Sequence, residues 1–224
     1  MLDGGGTRTL ELRSVERGPA EDGAATVALL TDAGTIGCRL HDASLGDAAV
    51  LWVFGAGGGL GGPAGGLYAR LGRLLVGEGI TSLELDYRHP SHLSSCVLDV
   101  LAGVGYLETL GRSQVVLVGH SFGGAVVIAA GAASERVIAV AALSSQTYGT
   151  DLAHRISPRP LLLMHGTADE ILPAASSQNI YARAREPKRI LLYPGCRHGL
   201  DQCRDQLDRD LVSWIREAVT TTPA

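Results

Sequence analysis

Lysine is almost missing from this chain. Lys188 is the only one among 19 basic residues, which face 23 acidic ones for a net charge of −4. There is no basic run, and the aromatics, 4% of the residues, do not interleave with the arginines. No nucleic-acid partner is expected, because phosphates call for clustered cations and unpaired bases for stacking platforms. Also absent is any apolar run near the roughly 20 residues that cross a bilayer, so no membrane partner is expected. Residues 1–6 lack the basic segment and apolar core of a secretory signal, and a cytoplasmic location follows as the expectation. Cysteine is sparse, and Cys38, Cys96, Cys196 and Cys203 have no metal-ligand spacing. Neither a metal nor another cofactor is expected, and in a reducing compartment the four should be free thiols rather than bridges.

What the chain does contain is enough apolar material for one core. At 224 residues and 46% apolar it is too short for two α/β units, so residues 1–224 are expected to form a single domain. Two segments, 9–15 and 26–40 with a turn at Asp32-Ala33-Gly34, read as antiparallel edge strands. Strand and helix then alternate: strand 49–54, helix 63–76, strand 80–85, helix 92–110, strand 115–118, helix 125–133 and strand 137–143. Strands 160–164 and 189–193 follow, with a helix starting near Pro173 between them and a closing helix over 206–219. Such alternation implies right-handed crossovers and a doubly wound, mostly parallel sheet that binds ligands at the carboxyl ends of its strands. Residues 144–159 are too few for a helical cap domain, so the site should be open.

Three of those strand ends carry chemistry. Gly119-His120-Ser121-Phe122-Gly123 stands between an apolar strand and a helix of small residues. A serine turned sharply from strand into helix projects its hydroxyl outward, and small neighbours let the turn close. The strand 160–164 runs into His165-Gly166-Thr167-Ala168-Asp169-Glu170, and 189–193 runs into Pro194-Gly195-Cys196-Arg197-His198-Gly199. The order Ser121, Asp169, His198 suits nucleophilic catalysis, in which histidine takes the serine proton and the carboxylate orients the imidazole. Taken singly, Asp169 fits an Asx turn and His198 an ordinary loop position. Glu170 competes with Asp169 as the acid, but a carboxylate near a helix start fits a solvated site. His89 and His92 read as exposed loop residues at the rim, and Cys196 as a small buried side chain beside the site.

On these motifs, over residues 50–219, the chain resembles small serine hydrolases of the α/β-hydrolase superfamily, nearest in pattern to the compact, lidless esterase and dienelactone-hydrolase-like branches. The resemblance implies an α/β-hydrolase fold with antiparallel N-terminal strands, and a catalytic triad of Ser121, Asp169 and His198. Dienelactone hydrolases proper carry cysteine where this chain has Ser121, so the lactone chemistry is not carried over. The resemblance also implies an oxyanion hole made by the N–H of Phe122, after the nucleophile, and of Ala56, in the loop after strand 49–54. Phe54 stands where many relatives have histidine.

That loop, Gly55-Ala56-Gly57-Gly58-Gly59-Leu60-Gly61-Gly62, supports a rival reading. Gly57-x-Gly59-x-x-Gly62 fits a dinucleotide fingerprint, with Asp86 placed as a ribose-binding acid. Six glycines in eight residues make the spacing nearly inevitable, and Pro63 removes an N–H where a pyrophosphate wants donors. The expected function is a cofactor-independent serine hydrolase that cleaves small carboxylic esters, short acyl chains favoured, through an acyl-enzyme. Thioesterase, amidase and acyltransferase activities share the same triad, and a dinucleotide-binding oxidoreductase or a non-catalytic protein of hydrolase fold are the readings from other classes.

Overall fold

The computed structural model describes residues 9–221. The signal-peptide expectation for residues 1–6 therefore lies outside the described residues. Three strands open the fold: β1 (Leu12–Glu21), β2 (Ala24–Thr31) and β3 (Gly34–His41). Then come β4 (Ala48–Val53), α1 (Pro63–Val76), β5 (Ile80–Asp86), α2 (Leu93–Thr109), β6 (Gln114–His120), α3 (Phe122–Ala133) and β7 (Val137–Leu143). The chain closes with β8 (Leu161–Gly166), α4 (Ala175–Arg183), β9 (Lys188–Tyr193) and α5 (Arg204–Thr221).

The nine strands of the described residues join one sheet in the order β1-β2-β3-β5-β4-β6-β7-β8-β9. The pairs β1–β2, β2–β3 and β3–β5 are antiparallel and the rest parallel. The cause is visible along β4, AAVLWV, in which every residue is buried. Side chains alternate across a strand, so Ala49, Leu51 and Val53 enter the layer under α2 and α3, while Ala48, Val50 and Trp52 enter the layer under α1 and α5. A strand apolar on both faces is stable only where helices cover both. β6, β7 and β8 repeat the pattern, and the amphipathic α1 and α5 supply Leu67, Leu71, Leu75, Leu207, Leu211 and Ile215 to the second layer.

Three details differ from the sequence reading. β1 reaches Glu21, well past 15, because it pairs with β2 down to the Glu21–Ala24 register next to the turn. The first turn of α1 is not helical: Ala64, Gly65 and Gly66 all take positive φ. The helix after Ser121 starts at Phe122 rather than 125, since the elbow feeds it directly. Among the described residues the connection between β7 and β8 holds one short helical turn, at Ala153–Arg155, and no helical cap is inserted there. Among the described residues no helix is long and apolar enough to cross a membrane.

Candidate active site

Ser121 occupies a strained position between β6 and α3, with φ 59 and ψ −119. A non-glycine residue there costs on the order of 1–3 kcal/mol, and the surroundings hold it. Its N–H donates to the Leu143 carbonyl at 2.8 Å. A side-chain carbon at Gly119 would lie 2.1 Å from the Gly123 carbonyl oxygen, and one at Gly123 would lie 2.3 Å from that of Phe54. Only glycine at both positions lets the turn close with the serine hydroxyl outward.

His198, on the loop after β9, brings its Nε2 to 3.1 Å from Ser121 Oγ and its Nδ1 to 2.8 Å from Asp169 Oδ2. The tautomer this implies carries its proton on Nδ1, donating to the carboxylate, and leaves Nε2 to accept from the hydroxyl. Asp169, after β8, is fully buried at its side chain. Its Oδ1 accepts the N–H groups of Ile171 and Leu172 at 2.9 and 2.8 Å, so the Asx turn and the contact to histidine belong to one residue. Burial pushes this carboxyl up, but the Leu172 amide, the His198 ring and the Ile171 amide outweigh it and hold the group below its ordinary range. It is an anion at neutral pH. Glu170 is exposed, and no hydrogen bond links it to His198.

Two further histidines buttress these loops. His165, at the end of β8 and fully buried, places Nε2 3.1 Å from Asp169 Oδ2 and 3.0 Å from the Leu172 carbonyl oxygen, while Nδ1 meets the Ser177 hydroxyl at 2.7 Å. Burial lowers its pKa, partly offset by the Leu172 carbonyl and Asp169, so the ring is neutral and donates from Nε2. His120, beside Ser121, donates from Nε2 to the His198 carbonyl oxygen at 2.9 Å, its ring 4.8 Å from the His198 ring. Burial pulls its pKa down to about 4, which keeps it neutral in the pH range where a histidine base works. The sequence reading gave neither residue a role, because their partners lie far along the chain or in turns with no motif.

The cysteine expectation needs correcting. Cys196 and Cys203 form a disulfide, while Cys38 and Cys96 are free and buried. The bridge closes an eight-residue loop around His198, and bridges persist in oxidising surroundings, so the cysteines no longer argue for a reducing compartment. A loop of this size stabilises by about 2 kcal/mol in the chain-entropy account. Reduction, or Cys203→Ser, is therefore expected to lower Tm by about 5 °C and to slow turnover through a looser base loop. An unchanged Tm, with four titratable thiols in the untreated protein, would count against the bridge.

The glycine loop between β4 and α1 passes over the elbow: a side-chain carbon at Gly55 would lie 3.6 Å from Ser121 Cβ. The Gly55 carbonyl accepts from Gly58 N–H at 3.0 Å, and the Ala56 carbonyl accepts from the Ser91 hydroxyl at 2.8 Å. With the Gly55 carbonyl engaged in that turn, the N–H of Ala56 faces the other way. Neither Ala56 N–H nor Phe122 N–H has a hydrogen-bond acceptor among the described residues. Asp86 does not await a ribose: its Oδ1 accepts Gly59 N–H at 2.6 Å, and Glu84 Oε2 accepts Gly61 N–H at 2.6 Å. Carboxylates already hold the amides that a pyrophosphate would need, and their charge would repel it, which tells against the dinucleotide reading. His89 and His92 are exposed, with rings 6.5 Å apart. Among the described residues no cluster of side chains fits a metal ion.

Comparison with known proteins agrees with this architecture. The model of the family described as serine aminopeptidase, S33, matches residues 148–202, the stretch holding Asp169 and His198. YfhR of Escherichia coli is 31% identical over 104 residues, 44% of this chain and 35% of YfhR. The chain thus matches about a third of the length of that curated relative. Among solved structures, Est1E from Butyrivibrio proteoclasticus superposes with TM-score 0.75 at 16% identity, covering 88% of this chain and 99% of Est1E. The dienelactone hydrolase from Anabaena variabilis gives TM-score 0.75 at 16% identity over 87% of this chain and 97% of the other. At such identities the likeness is one of fold.

Proposed function

We propose that this member of the α/β-hydrolase superfamily is a serine hydrolase that cleaves carboxylic esters through an acyl-enzyme. The observation that carries the reading is the unbroken line from Ser121 Oγ through His198 to Asp169, with contacts of 3.1 and 2.8 Å. Ser121 Oγ would add to the ester carbonyl as its proton passes to His198 Nε2, giving a tetrahedral oxyanion and an imidazolium. The N–H groups of Ala56 and Phe122 would hold the oxyanion, and Asp169 would stabilise the imidazolium. Collapse expels the alkoxide with the histidine's proton, and water then repeats the sequence on the acyl-serine. Nothing in this route needs a metal or organic cofactor. Labelling with a fluorophosphonate, the modified residue located by mass spectrometry, tests it: a tag on Ser121 supports the reading, and no tag defeats it.

The match to a serine aminopeptidase model favours amides as a second reading. Comparing kcat/KM for p-nitrophenyl acetate with that for amino-acid p-nitroanilides decides between them, the ester being the better substrate under the first.

Chain length is a further expected selectivity. A buried methylene contributes about 0.8 kcal/mol only where protein covers it, and among the described residues no helical cap is inserted between β7 and β8. Across p-nitrophenyl esters, kcat/KM should peak between acetate and butyrate. A peak at dodecanoate, measured below its micellar concentration, would overturn the short-chain preference.

A further inference from the structure

We propose that Glu84 and Asp86 are positioning residues of the oxyanion hole, acting through the glycine loop; this rests on the serine-hydrolase reading. The two acids lie two residues apart on β5, and a strand turns alternate side chains to one face. That face meets α1, directly below the loop of residues 55–62. Asp86 Oδ1 takes the N–H of Gly59 and Glu84 Oε2 takes the N–H of Gly61, both at 2.6 Å. A carboxylate that accepts from a backbone N–H makes a charge-assisted hydrogen bond, stronger than one between neutral groups.

Six of the eight residues in this loop are glycine, the residue that loses most conformational freedom when fixed. No side chain there can pack to hold the backbone, apart from Ala56 and Leu60. The fixing comes from outside: the Ser91 hydroxyl on the Ala56 carbonyl, the Tyr68 amide on the Gly61 carbonyl and the two carboxylates on the amides. Asp86 also closes on the turn itself, since a side-chain carbon at Gly58 would lie 2.8 Å from its Oδ1.

Glu84 is completely buried. A buried carboxylate is costly unless compensated. Arg39 Nη1 and His41 Nε2 each stand 3.6 Å from its Oε1, an oxygen that has no hydrogen bond of its own. A charge kept at that depth, with one oxygen committed to a loop amide and the other facing two basic groups, has the loop as its only hydrogen-bonded partner among the described residues. The Ala56 N–H lies in the Gly55–Gly58 turn, which runs directly into Gly59, the residue whose amide Asp86 holds. Donors aimed at a developing oxyanion act because they are fixed before the charge appears. Loosening the loop should therefore weaken the transition state and leave ground-state binding nearly unchanged.

The test uses Asp86→Ala, Asp86→Asn and Glu84→Gln in the full chain, with Tm and circular dichroism recorded beside kinetics. For Asp86→Ala, kcat on p-nitrophenyl acetate should fall tens-fold with KM within about twofold, as expected for an interaction made in the transition state. Its inhibition constant for a boronate that forms a tetrahedral adduct should rise by a similar factor. Asp86→Asn keeps an acceptor oxygen and should recover most of the loss. Glu84→Gln, equal in shape and lacking only the charge, should show the same kcat-selective fall in smaller measure if folded. A folded Asp86→Ala with unchanged kcat and boronate inhibition, or with the loss confined to KM, overturns the proposal. If Glu84→Gln does not fold, the Asp86 pair alone decides. A wild-type protein that fluorophosphonate fails to label at Ser121 overturns the hydrolase reading and this inference together, whereas normal labelling with an indifferent Asp86 overturns only the clamp.

Discussion

Ser121→Ala is expected to abolish fluorophosphonate labelling and to lower kcat for ester hydrolysis by a factor on the order of 10⁴–10⁶. The size follows from what the alanine removes. Without Oγ there is no acyl-enzyme, and His198 has nothing to deprotonate but water. Any rate left would come from substrate binding and the free amides of Ala56 and Phe122. Stability should not fall, because among the described residues the hydroxyl's only hydrogen bond is the one to His198 and the strained turn keeps its backbone. A stable Ser121→Ala protein that is still labelled would assign the nucleophile elsewhere.

The partner residues should separate by role. His198→Ala should cost nearly as much as the serine change, since residues that act as one unit are not additive. Asp169→Asn should lower kcat by about 10⁴, as the amide stabilises the wrong imidazole tautomer, while Glu170→Gln should change it less than twofold. There is also a stability signature. The folded Asp169 carboxyl titrates below its unfolded value, so its contribution is full above that unfolded value and is lost as the pH falls through the lowered folded one. Acid unfolding curves of wild type and Asp169→Asn should therefore converge at low pH and part as the pH rises. Greater damage from Glu170→Gln than from Asp169→Asn would show that the acid had been misassigned.

Much of this arrangement can be read along the chain because the fold writes it locally. Runs such as Leu161-Leu162-Leu163-Met164 are apolar on both faces, which marks covered parallel strands, and the polar residues directly after three of them are those that the structure brings together. Gly119 and Gly123 are legible for the same reason, being neighbours of the serine they accommodate. What stays hidden is contact between distant positions. His120 bonds to His198, 78 residues away, and Glu84 takes an amide from the glycine loop, 23 residues back. No period or spacing carries such pairings. The bridge between Cys196 and Cys203 is not legible either, because cysteine pairing depends on the compartment and on a loop closure that no motif records, and the distance of Asp86 along the chain fits a ribose acid and a loop anchor equally.

One oxygen of Asp169 serves two rings. His198 Nδ1 donates to Oδ2 at 2.8 Å and His165 Nε2 stands 3.1 Å from the same atom. During turnover the demand on that oxygen would rise when His198 becomes an imidazolium and fall when it is neutral again. A carboxylate with only fixed donors would answer each change by displacement. Here the His165 N–H also has the Leu172 carbonyl oxygen within 3.0 Å, so it can lean from one acceptor to the other without being left unpaired. If Asp169 and His198 act as acid and base, the carboxylate could thereby stay in place while His198 changes charge, the adjustment being a small tilt of one buried ring.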